Sequence, residues 1–259
     1  TEGWRLPGMK KCAKTQARLL RRAHQAKLHS FRNKPMCMCG FQVPRNHREA
    51  MELDEQNKNT KWRDAEQAEI GKIDECDAFD DRGDKTPEGH KKTTAHMTCA
   101  VEHDGRHRAR LVAGGHLTET PVDSVHSSVV SLRGIRMLTF LGELNGSQTW
   151  CADVGSACLE SYTKEKLHIK AGPEFGEREG HILVIVRALC GLKSSGLRWH
   201  ERFSDVLRDM GFFPSKAERD IWMRDKGDHY EHIGAYVDDL LVVSKDPQSI
   251  IDALTKEHN

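Results

Sequence analysis

The amino-acid sequence predicts an α+β fold, because patterns typical of β-hairpins alternate along the chain with patterns typical of amphipathic helices. Two apolar runs between positions 234 and 243 flank Val237-Asp238-Asp239, which predicts two short strands joined by a turn. A second hairpin is predicted at 96–101 and 108–113, whose connection contains Asp104-Gly105. Apolar residues at helical spacing predict helices at 59–77, 132–144 and 197–210. A chain of 259 residues can hold these elements as one large domain or two small ones.

Further strands and one loop are predicted between these elements. Turn-forming residues predict a loop at 80–89, and an apolar run predicts a strand at 181–189. Segments 220–223 and 229–237 are expected to be the strands that lead to the acidic turn. Helical spacing predicts burial of Ile135, Leu138, Leu141 and Leu144 in one helix, and a purely core role for Trp199, Phe203, Leu207 and Met210 in another.

Charge divides the chain into three predicted regions: a basic N-terminal arm at 1–48, an acidic helix and loop at 49–90, and a core at 91–259. Residues 5–48 include many Lys and Arg but no Asp or Glu, and part of this arm has the composition of a basic helix. Such an arm favours contact with phosphate backbones. The alternative is a solvated helix that is balanced by the acidic residues of the next region.

Composition predicts a polar intracellular protein that is not embedded in a membrane. Charged residues make up 31% of the chain, apolar residues 37%, and the mean hydropathy is −0.67. The sequence has no apolar run of the length needed to span a bilayer, and its N-terminus does not resemble a secretory signal. Its eight cysteines lack the regular spacing of a disulfide scaffold, which predicts reduced thiols.

Three carboxylates form the strongest candidate for a chemical site. Asp238 and Asp239 are neighbours at a turn, where they repel each other unless a cation lies between them. Asp153 lies within an apolar stretch, where a buried charge needs neutralisation or a bound ion. Carboxylates are the ligands that Mg²⁺ prefers, and paired Mg²⁺ ions about 3.5–4 Å apart catalyse phosphoryl transfer. The alternatives are an ordinary surface turn for the pair and a helix N-cap for Asp153.

Several sequence blocks, in order, resemble the reverse transcriptase of Ty1/copia-type LTR retrotransposons. The resemblance covers the chain from about Leu28 to Asp246. Its most specific block is Tyr236-Val237-Asp238-Asp239, which matches the YVDD box of that family. The other blocks are the fingers-like segment at 108–115, an "SPVV…IR"-like block at 129–136, an "LDVKNAFL"-like block around Asp153 and an "ALYGLKQSPRAW"-like block at 188–199.

The resemblance implies the fold and a set of functional residues. It implies polymerase fingers and palm, with a ferredoxin-like antiparallel palm sheet backed by helices and a thumb that is largely missing. It implies catalysis by Asp153, Asp238 and Asp239, with Mg²⁺ (or Mn²⁺) bound at these residues and at Val154. The residues implied to contact the dNTP or the template are Arg108, Arg110, Cys158, Gly191, Lys193, Ser195 and Tyr236.

Two of these implied contacts also have a local physical basis. Strand alternation places Arg108 and Arg110 on one face, and guanidinium groups bind phosphate oxygens in a fork geometry. The alternative is a pair of arginines that simply face solvent. Small residues from Gly191 to Gly196 permit close backbone approach, although an ordinary loop followed by a helix capped by Ser194 or Ser195 has the same pattern.

The chain departs from the family pattern at positions that are usually aromatic. Cys158 stands where the family has the side chain that excludes a ribose 2′-hydroxyl, and Cys190 stands before Gly191. The smaller Cys158 is expected to weaken sugar discrimination. Ser194-Ser195-Gly196 also replaces the family's more common Gln-Ser-Pro.

The function implied is an RNA-directed DNA polymerase module that transfers nucleotides to a primer 3′-hydroxyl with two Mg²⁺ ions. Its expected partners are an RNA template, a DNA primer, dNTPs and the other Pol polyprotein segments, ribonuclease H and integrase. Its expected location is the cytoplasm or a virus-like particle. The alternatives are an inactive, truncated or degenerate retrotransposon fragment that only binds nucleic acid, and a metal-dependent nuclease or cyclase with the same carboxylates.

Overall fold

A computed structural model describes residues 35–119 and 125–257, together with four isolated positions, 18, 21, 22 and 25. Most of the predicted basic arm lies outside the described residues, and so does most of the helix predicted within it. Arg18, Arg21 and Arg22 are helical and exposed. The chain is a mixed α+β protein, as the sequence predicts.

The helices and strands of 35–119 and 125–257 are numbered here in chain order. The helices are α1 (His47–Asn57), α2 (Lys61–Glu75), α3 (Leu132–Leu144), α4 (Ser195–Asp209) and α5 (Pro247–Glu257). The strands of the first half are β1 (Met36–Met38), β2 (Phe41–Val43), β3 (Phe79–Asp81), β4 (Lys91–Lys92), β5 (Ala95–Val101) and β6 (His107–Ala113). The strands of the second half are β7 (Gln148–Asp153), β8 (Leu167–Lys170), β9 (Ile182–Ile185), β10 (Phe213–Pro214), β11 (Ile221–Asp225), β12 (Tyr230–Tyr236) and β13 (Asp239–Ser244).

The first core lies between helices α1 and α2, the β5–β6 hairpin and a four-stranded sheet of order β3-β9-β8-β4. Buried Asp54 in α1 caps α2, because its carboxylate accepts hydrogen bonds from the backbone N–H groups of Trp62 and Arg63 at 3.1 and 2.9 Å. The Trp62 ring packs edge-on against His107 of β6 at 4.4 Å between ring centroids. The hairpin is thereby fixed to the helical pair.

The second core surrounds a five-stranded antiparallel sheet of order β10-β11-β12-β13-β7. One face packs against α4 and α5 through Trp199, Phe203, Leu207 and Ile250, and the other packs against α3 through Leu138. Within the described residues β7 pairs only with β13, so it lies at the edge of this sheet. The sheet is therefore covered by helices on both faces while the edge at β7 is open.

Helix α3 has the predicted bounds, and its predicted buried face is correct for Ile135, Leu138 and Leu141 but wrong for Leu144. Leu144 was expected to be buried and is 68% exposed. The sheet-facing stripe is instead Gly134, Leu138 and Gly142, because glycines let the helix backbone approach the strands closely. A Cβ on Gly142 would lie 2.8 Å from Thr149 Oγ1 and 3.1 Å from Val243 Cγ1. Ile135 and Leu141 flank this stripe and are partly buried, whereas the other large apolar side chains of α3 are exposed: Leu132, Met137, Phe140 and Leu144.

Three other boundaries differ from those predicted. Asp80 and Asp81 belong to β3, because they pair with β9, so the predicted loop begins at Arg82. The predicted strand at 181–189 is only Ile182–Ile185, since the chain after it turns towards α4. The acidic turn is shorter than three residues, because Asp239 already pairs within β13. The hairpin β5–β6, helix α2, helix α4, and strands β11 and β12 lie where the sequence predicts them.

The described part of the chain contains no helix with both the length and the apolar character needed to cross a membrane. The seven cysteines in this part of the chain are free thiols.

Candidate active site

Strand pairing brings two of the three candidate carboxylates opposite each other. Asp153 ends β7 and Asp239 begins β13, and their Cα atoms are direct partners in the antiparallel ladder. Side chains at directly opposed positions share one face of a sheet, with Cβ atoms about 4.5–5.5 Å apart. Both residues are exposed. The sheet therefore presents two neighbouring carboxylates to solvent at one end.

The third carboxylate lies in the two-residue turn between β12 and β13. Tyr236 pairs with Asp239 across this turn, which leaves Val237 and Asp238 as its central residues. Val237 has a φ of +58°, which is strained for a β-branched side chain. Backbone strain of this kind persists only where surrounding contacts impose it, and it is concentrated at functional sites.

Two hydrogen bonds impose the conformation of this turn. The backbone N–H of Val154 donates to the Asp238 carbonyl at 2.9 Å, which ties the turn to the end of β7. The indole Nε1 of Trp199, in α4, donates to the Val237 carbonyl at 2.7 Å. Trp199 was interpreted from sequence as core alone, and although it is 2% exposed it also positions the turn. The missed signal was its indole N–H, since a buried Trp needs an acceptor.

Asp153 differs from its sequence-based description in two ways. It is exposed rather than buried, because β7 is an edge strand whose residues are mostly accessible. It does not cap a helix, since Ser156 occupies the cap position of the short 3-10 helix Ala157–Glu160. Among the described residues, three or more His, Cys, Asp or Glu side chains do not come together in a preformed metal cluster.

The two arginines of the β5–β6 hairpin lie on one exposed face, as alternation predicts. Arg108 is opposite Ala100 and Arg110 is opposite Thr98. Arg108 forms an ion pair with Glu102 at 2.9 Å. Arg110 lies close enough to Cys158 and Cys190 for its positive charge to favour a lower pKa of both thiols. This side of the hairpin is therefore near the loops that carry the two cysteines.

Cys158 and Cys190 are in contact. Their thiols hydrogen-bond to each other, and this bond is the main cause of opposite changes in their acidity. It lowers the pKa of Cys190 to about 7, whereas it raises the pKa of Cys158, with desolvation by burial as the second cause. The negative charge of Asp238 disfavours ionisation of both thiols. The pair is therefore within electrostatic range of both the hairpin arginine and the acidic turn.

The remaining candidate residues are used by the fold to different extents. Gly191 has a φ of +91°, and a Cβ there would lie 2.3 Å from the Ala113 carbonyl oxygen. Lys193 Nζ donates to the Thr118 carbonyl at 2.7 Å, and Ser195 Oγ donates to the Leu189 carbonyl at 2.5 Å. Gly191 thus packs the loop before α4 against the hairpin, Lys193 ties it to the segment after the hairpin, and Ser195 closes the loop on itself. Tyr236, in contrast, is 50% exposed beside the turn.

This acidic turn, with the paired strand beside it, lies in a segment that matches a known family. The model of the reverse transcriptase (RNA-dependent DNA polymerase) family matches residues 81–258, which is more than half of the chain. The chain belongs to this family. The resemblance inferred from the sequence blocks is thus confirmed, and the matched segment contains every candidate site residue.

Known relatives of this reverse transcriptase segment are retrotransposon proteins. It is 33% identical over 107 residues to the putative transposon Ty5-1 protein of Saccharomyces cerevisiae, a match that covers 40% of this chain and 34% of the relative. It is 25% identical over 153 residues to the retrovirus-related Pol polyprotein from transposon RE1 of Arabidopsis thaliana, covering 58% of this chain and 10% of the relative. It is 27% identical over 162 residues to the transposon Ty1-DR5 Gag-Pol polyprotein of Saccharomyces cerevisiae, covering 60% and 9%. The chain thus spans about a third or less of the length of these relatives.

Proposed function

We propose that this chain supplies the fingers and palm of a copia-type retrotransposon reverse transcriptase, an RNA-directed DNA polymerase. The observation that carries this proposal is the pairing of Asp153 with Asp239 beside the Asp238 turn. This arrangement concentrates carboxylates at one exposed end of a sheet that is fixed on both faces by helices. A site of this kind suits a reaction that works mainly by positioning and by neutralising phosphate charge.

The β5–β6 hairpin corresponds in this proposal to the fingers, and the five-stranded sheet to the palm. Along the chain, β7, α4, β12, β13 and α5 follow each other as strand, helix, strand, strand and helix, although β8 and β9 intervene before α4 and β10 and β11 after it. This succession supports the ferredoxin-like description of the palm. The contact of Gly191 with Ala113 joins the two parts next to the acidic turn.

The carboxylates suit Mg²⁺ or Mn²⁺ as cofactor. Mg²⁺ prefers oxygen ligands and usually takes only one or two carboxylates, with water and substrate phosphates completing its shell. Asp153 and Asp238 would hold the ions, with the backbone at Val154 beside them, and Asp239, opposed to Asp153 in the sheet, would support the site as an outer or weaker ligand. When bound, such ions lower the pKa of the primer hydroxyl and neutralise the leaving phosphates.

Protein side chains contribute binding and positioning. Asp153, Asp238 and Asp239 orient the reacting groups, and Trp199 together with Val154 keeps the turn in place. Arg110 and, after release from Glu102, Arg108 bind the phosphates of the incoming dNTP.

Five further positions are assigned to the substrate side of this site. Tyr236 and Gly191 face the primer and the nascent pair, whereas Cys158 lies beneath the sugar. Lys193 and Ser195 act through the loop that they hold, because both donate to backbone carbonyls.

An RNA template, a DNA primer and other Pol segments, ribonuclease H and integrase among them, are the partners of this proposal. The printed names of the relatives describe Pol and Gag-Pol polyproteins, which supports such partners. The basic residues of the N-terminal arm would bind nucleic-acid backbones, so affinity is expected to fall steeply with salt. A polymerase of this type works in the cytoplasm or in a virus-like particle.

Primer extension tests the proposal. Extension of oligo(dT) on poly(rA) with Mg²⁺ or Mn²⁺ is expected from the unaltered chain, and Asp153→Asn or Asp238→Asn is expected to lower it by at least about 100-fold, because bound metal supplies several kcal/mol of stabilisation. Binding of the hybrid should change little in these variants. Asp209→Asn, at the exposed end of α4, is the matched control for losing one carboxylate elsewhere.

Equal extension by the Asp238→Asn variant and the unaltered chain would refute the carboxylate assignment. Binding of hybrid without any extension, at every metal concentration, would instead favour the inactive fragment that only binds nucleic acid. Cleavage of nucleic acid in the absence of triphosphates would favour the nuclease.

A further inference from the structure

The contact between Cys158 and Cys190 brings together two thiols that lie far apart in the chain. Cys158 belongs to the 3-10 helix Ala157–Glu160, and Cys190 lies in the connection between β9 and α4. The two thiols hydrogen-bond to each other and do not form a disulfide in this structure. Both residues are half-buried, so solvent has access to the pair.

Separate backbone contacts hold each cysteine in place. The carbonyl of Cys158 accepts from the N–H of Ser161 at 3.2 Å, and the carbonyl of Cys190 accepts from the N–H of Ala113 at 2.8 Å. The N–H of Ala188 donates to the Ser161 carbonyl at 2.8 Å, which joins the two segments near the thiols. The contact is therefore built into the fold and does not depend on a flexible side-chain encounter.

The pair has the complementary roles that thiol–disulfide exchange requires. Because Cys158 donates its S–H, the pKa of Cys190 is lowered to about 7 and a large share of this thiol is ionised at neutral pH. The positive charge of Arg110 also favours the Cys190 thiolate, whereas burial, Glu69 and Asp238 oppose it. A thiolate with a pKa near ambient pH is the best attacking group, and a protonated neighbour can resolve the mixed disulfide.

We propose that Cys158 and Cys190 form a redox site that closes to an intrachain disulfide when a low-molecular-weight disulfide such as glutathione disulfide is present. The Cys190 thiolate attacks one sulfur of the oxidant and releases one glutathione thiolate. The Cys158 thiol then loses its proton to solvent, attacks the Cys190 sulfur and displaces the second glutathione. The protein loses two hydrogen atoms in total, and one glutathione disulfide becomes two glutathione molecules.

Closure of this site connects the segment after β7 to the loop that is packed on β6. Under the proposed function, on which this consequence rests, the link lies in the nucleotide site between Arg110 and Asp238. It removes the freedom of these two segments to adjust around an incoming nucleotide. Extension is therefore expected to fall on oxidation and to return on reduction.

Peptide mapping tests the redox site without reference to polymerase activity. Trypsin releases 137–164 and 188–193, which contain Cys158 and Cys190, and a Cys151→Ser background leaves one thiol in the first peptide. After incubation with glutathione disulfide, mass spectrometry is expected to find these two peptides linked, with the loss of two hydrogens. Exposed Cys37 and Cys39 serve as an internal control, since they are expected to carry glutathione without joining Cys158 or Cys190.

Unlinked peptides, whether free or carrying glutathione, would overturn the proposal. Cys158→Ser and Cys190→Ser supply the second test, in which extension by each variant is compared before and after oxidation. The unaltered chain should lose at least about five-fold in extension and recover with dithiothreitol, and each variant should give the same rate under both conditions. A chain that forms the linked peptides but never extends a primer would retain the redox site and overturn the proposed function alone.

Discussion

At the scale of single residues, one indole nitrogen supplies the side-chain half of the two hydrogen bonds that hold the acidic turn. Trp199 lies in α4, and its Nε1 donates across the core to the carbonyl of strained Val237. A hydrogen bond of this kind contributes about 0.5–1.5 kcal/mol of net stability. Its effect on the position of Asp238 is larger than this energy suggests. The only other hydrogen bond described above that holds the turn is the one from the Val154 N–H to the Asp238 carbonyl.

Replacing this indole should therefore reduce activity more than stability. Trp199→Phe is expected to lower the free energy of unfolding by about 1–3 kcal/mol, from the lost hydrogen bond and some lost packing. Extension should fall by at least about ten-fold, since misplaced catalytic groups lose rate steeply. Urea denaturation and primer extension measure the two effects. Trp222→Phe, at another buried Trp of the same core, controls for lost volume.

Comparable losses of extension in the Trp199→Phe and Trp222→Phe variants would show that packing alone matters at both sites. A loss of stability cannot by itself separate packing of the core from positioning of the turn, because both Trp side chains are only 2% exposed.

At the scale of elements, the fit of α3 to the sheet depends on the absence of side chains. Gly142 faces Thr149 and Val243 so closely that an added Cβ would require one of them to move. Gly71 in α2 is the opposite case, since a Cβ there would meet no atom within 4 Å. The two glycines therefore separate helix propensity from packing.

Alanine at these two positions should have effects of opposite sign. Gly71→Ala is expected to stabilise the protein by about 0.5–1 kcal/mol, because alanine loses less conformational entropy in a helix. Gly142→Ala gains the same propensity but is expected to destabilise the protein by about 1–3 kcal/mol through overpacking. Thermal or urea denaturation of both variants decides the point, and stabilisation by Gly142→Ala would contradict the close approach of α3.

The β5–β6 hairpin carries a second element-scale prediction, about pH. Cys99 is 5% exposed on its buried face, and desolvation raises the pKa of its thiol from 9.0 to about 12. The stability that comes from keeping this thiol protonated is fully present below pH 9, and it is lost as the pH rises from 9 towards 12. The slope over this window is about 1.4 kcal/mol per pH unit.

Cys99→Ala should remove this slope. The free energy of unfolding of the unaltered chain, relative to the variant, is expected to fall between pH 9 and pH 11 and to stay constant between pH 7 and pH 8.5. Urea denaturation at each pH measures the free energy of unfolding of both proteins. Subtracting one from the other cancels the contributions of Lys and Tyr residues, which the two proteins share. An equal slope in the two proteins would mean that Cys99 ionises normally in the folded state.

At the scale of the whole molecule, the loop between β9 and α4 is joined to the β5–β6 hairpin where Gly191 lies against Ala113. Gly191→Ala places a Cβ against backbone atoms that belong to the hairpin, and it does so at a φ of +91°. We expect a loss of about 3–5 kcal/mol in the free energy of unfolding, as is typical of strain at special backbone positions. Gly227→Ala is the matched control, because it has a φ of +85° with no atom within 4 Å of the added Cβ.

The control should lose only the cost of the left-handed conformation, about 1–2 kcal/mol. The difference between the two variants, measured by urea denaturation, is therefore the cost of the contact itself. Equal losses would indicate that the hairpin moves away freely and that the loop before α4 is weakly joined to it.

Local patterns predicted most elements but not the contacts between them. The hairpin at Asp104-Gly105, helix α3 and the turn at Val237 depend on residues that are neighbours in the chain, so their bounds could be inferred. The exposure of Leu144 could not be inferred from the sequence, because it depends on which face of α3 packs against the sheet. Family blocks indicated Asp153 and Asp238 correctly as spatial neighbours, since Val154 beside one bonds to the other.

The contact of Cys158 with Cys190 could not be predicted from the sequence, for a different reason. Each cysteine replaces a residue that is usually aromatic in the family, and a cysteine in the sequence does not by itself indicate which other residue it contacts. Two elements that are distant in the chain must pack before the thiols meet. The hydrogen bond from Trp199 to the Val237 carbonyl is likewise a contact between residues that are distant in the chain.

The pairing of Asp153 with Asp239 makes the site sensitive to insertions and deletions. Successive side chains of a strand point to opposite faces, so a shift of β7 by one residue would turn Asp153 away from Asp239. A shift by two residues would restore the face but displace the carboxylate along the strand by about 6.5 Å. Gains or losses of single codons within β7 are therefore expected to abolish the site while the helices and hydrophobic cores survive. Codons added to the loop between α3 and β7 leave the register intact, so changes in the length of this loop are expected to preserve the pairing of Asp153 with Asp239.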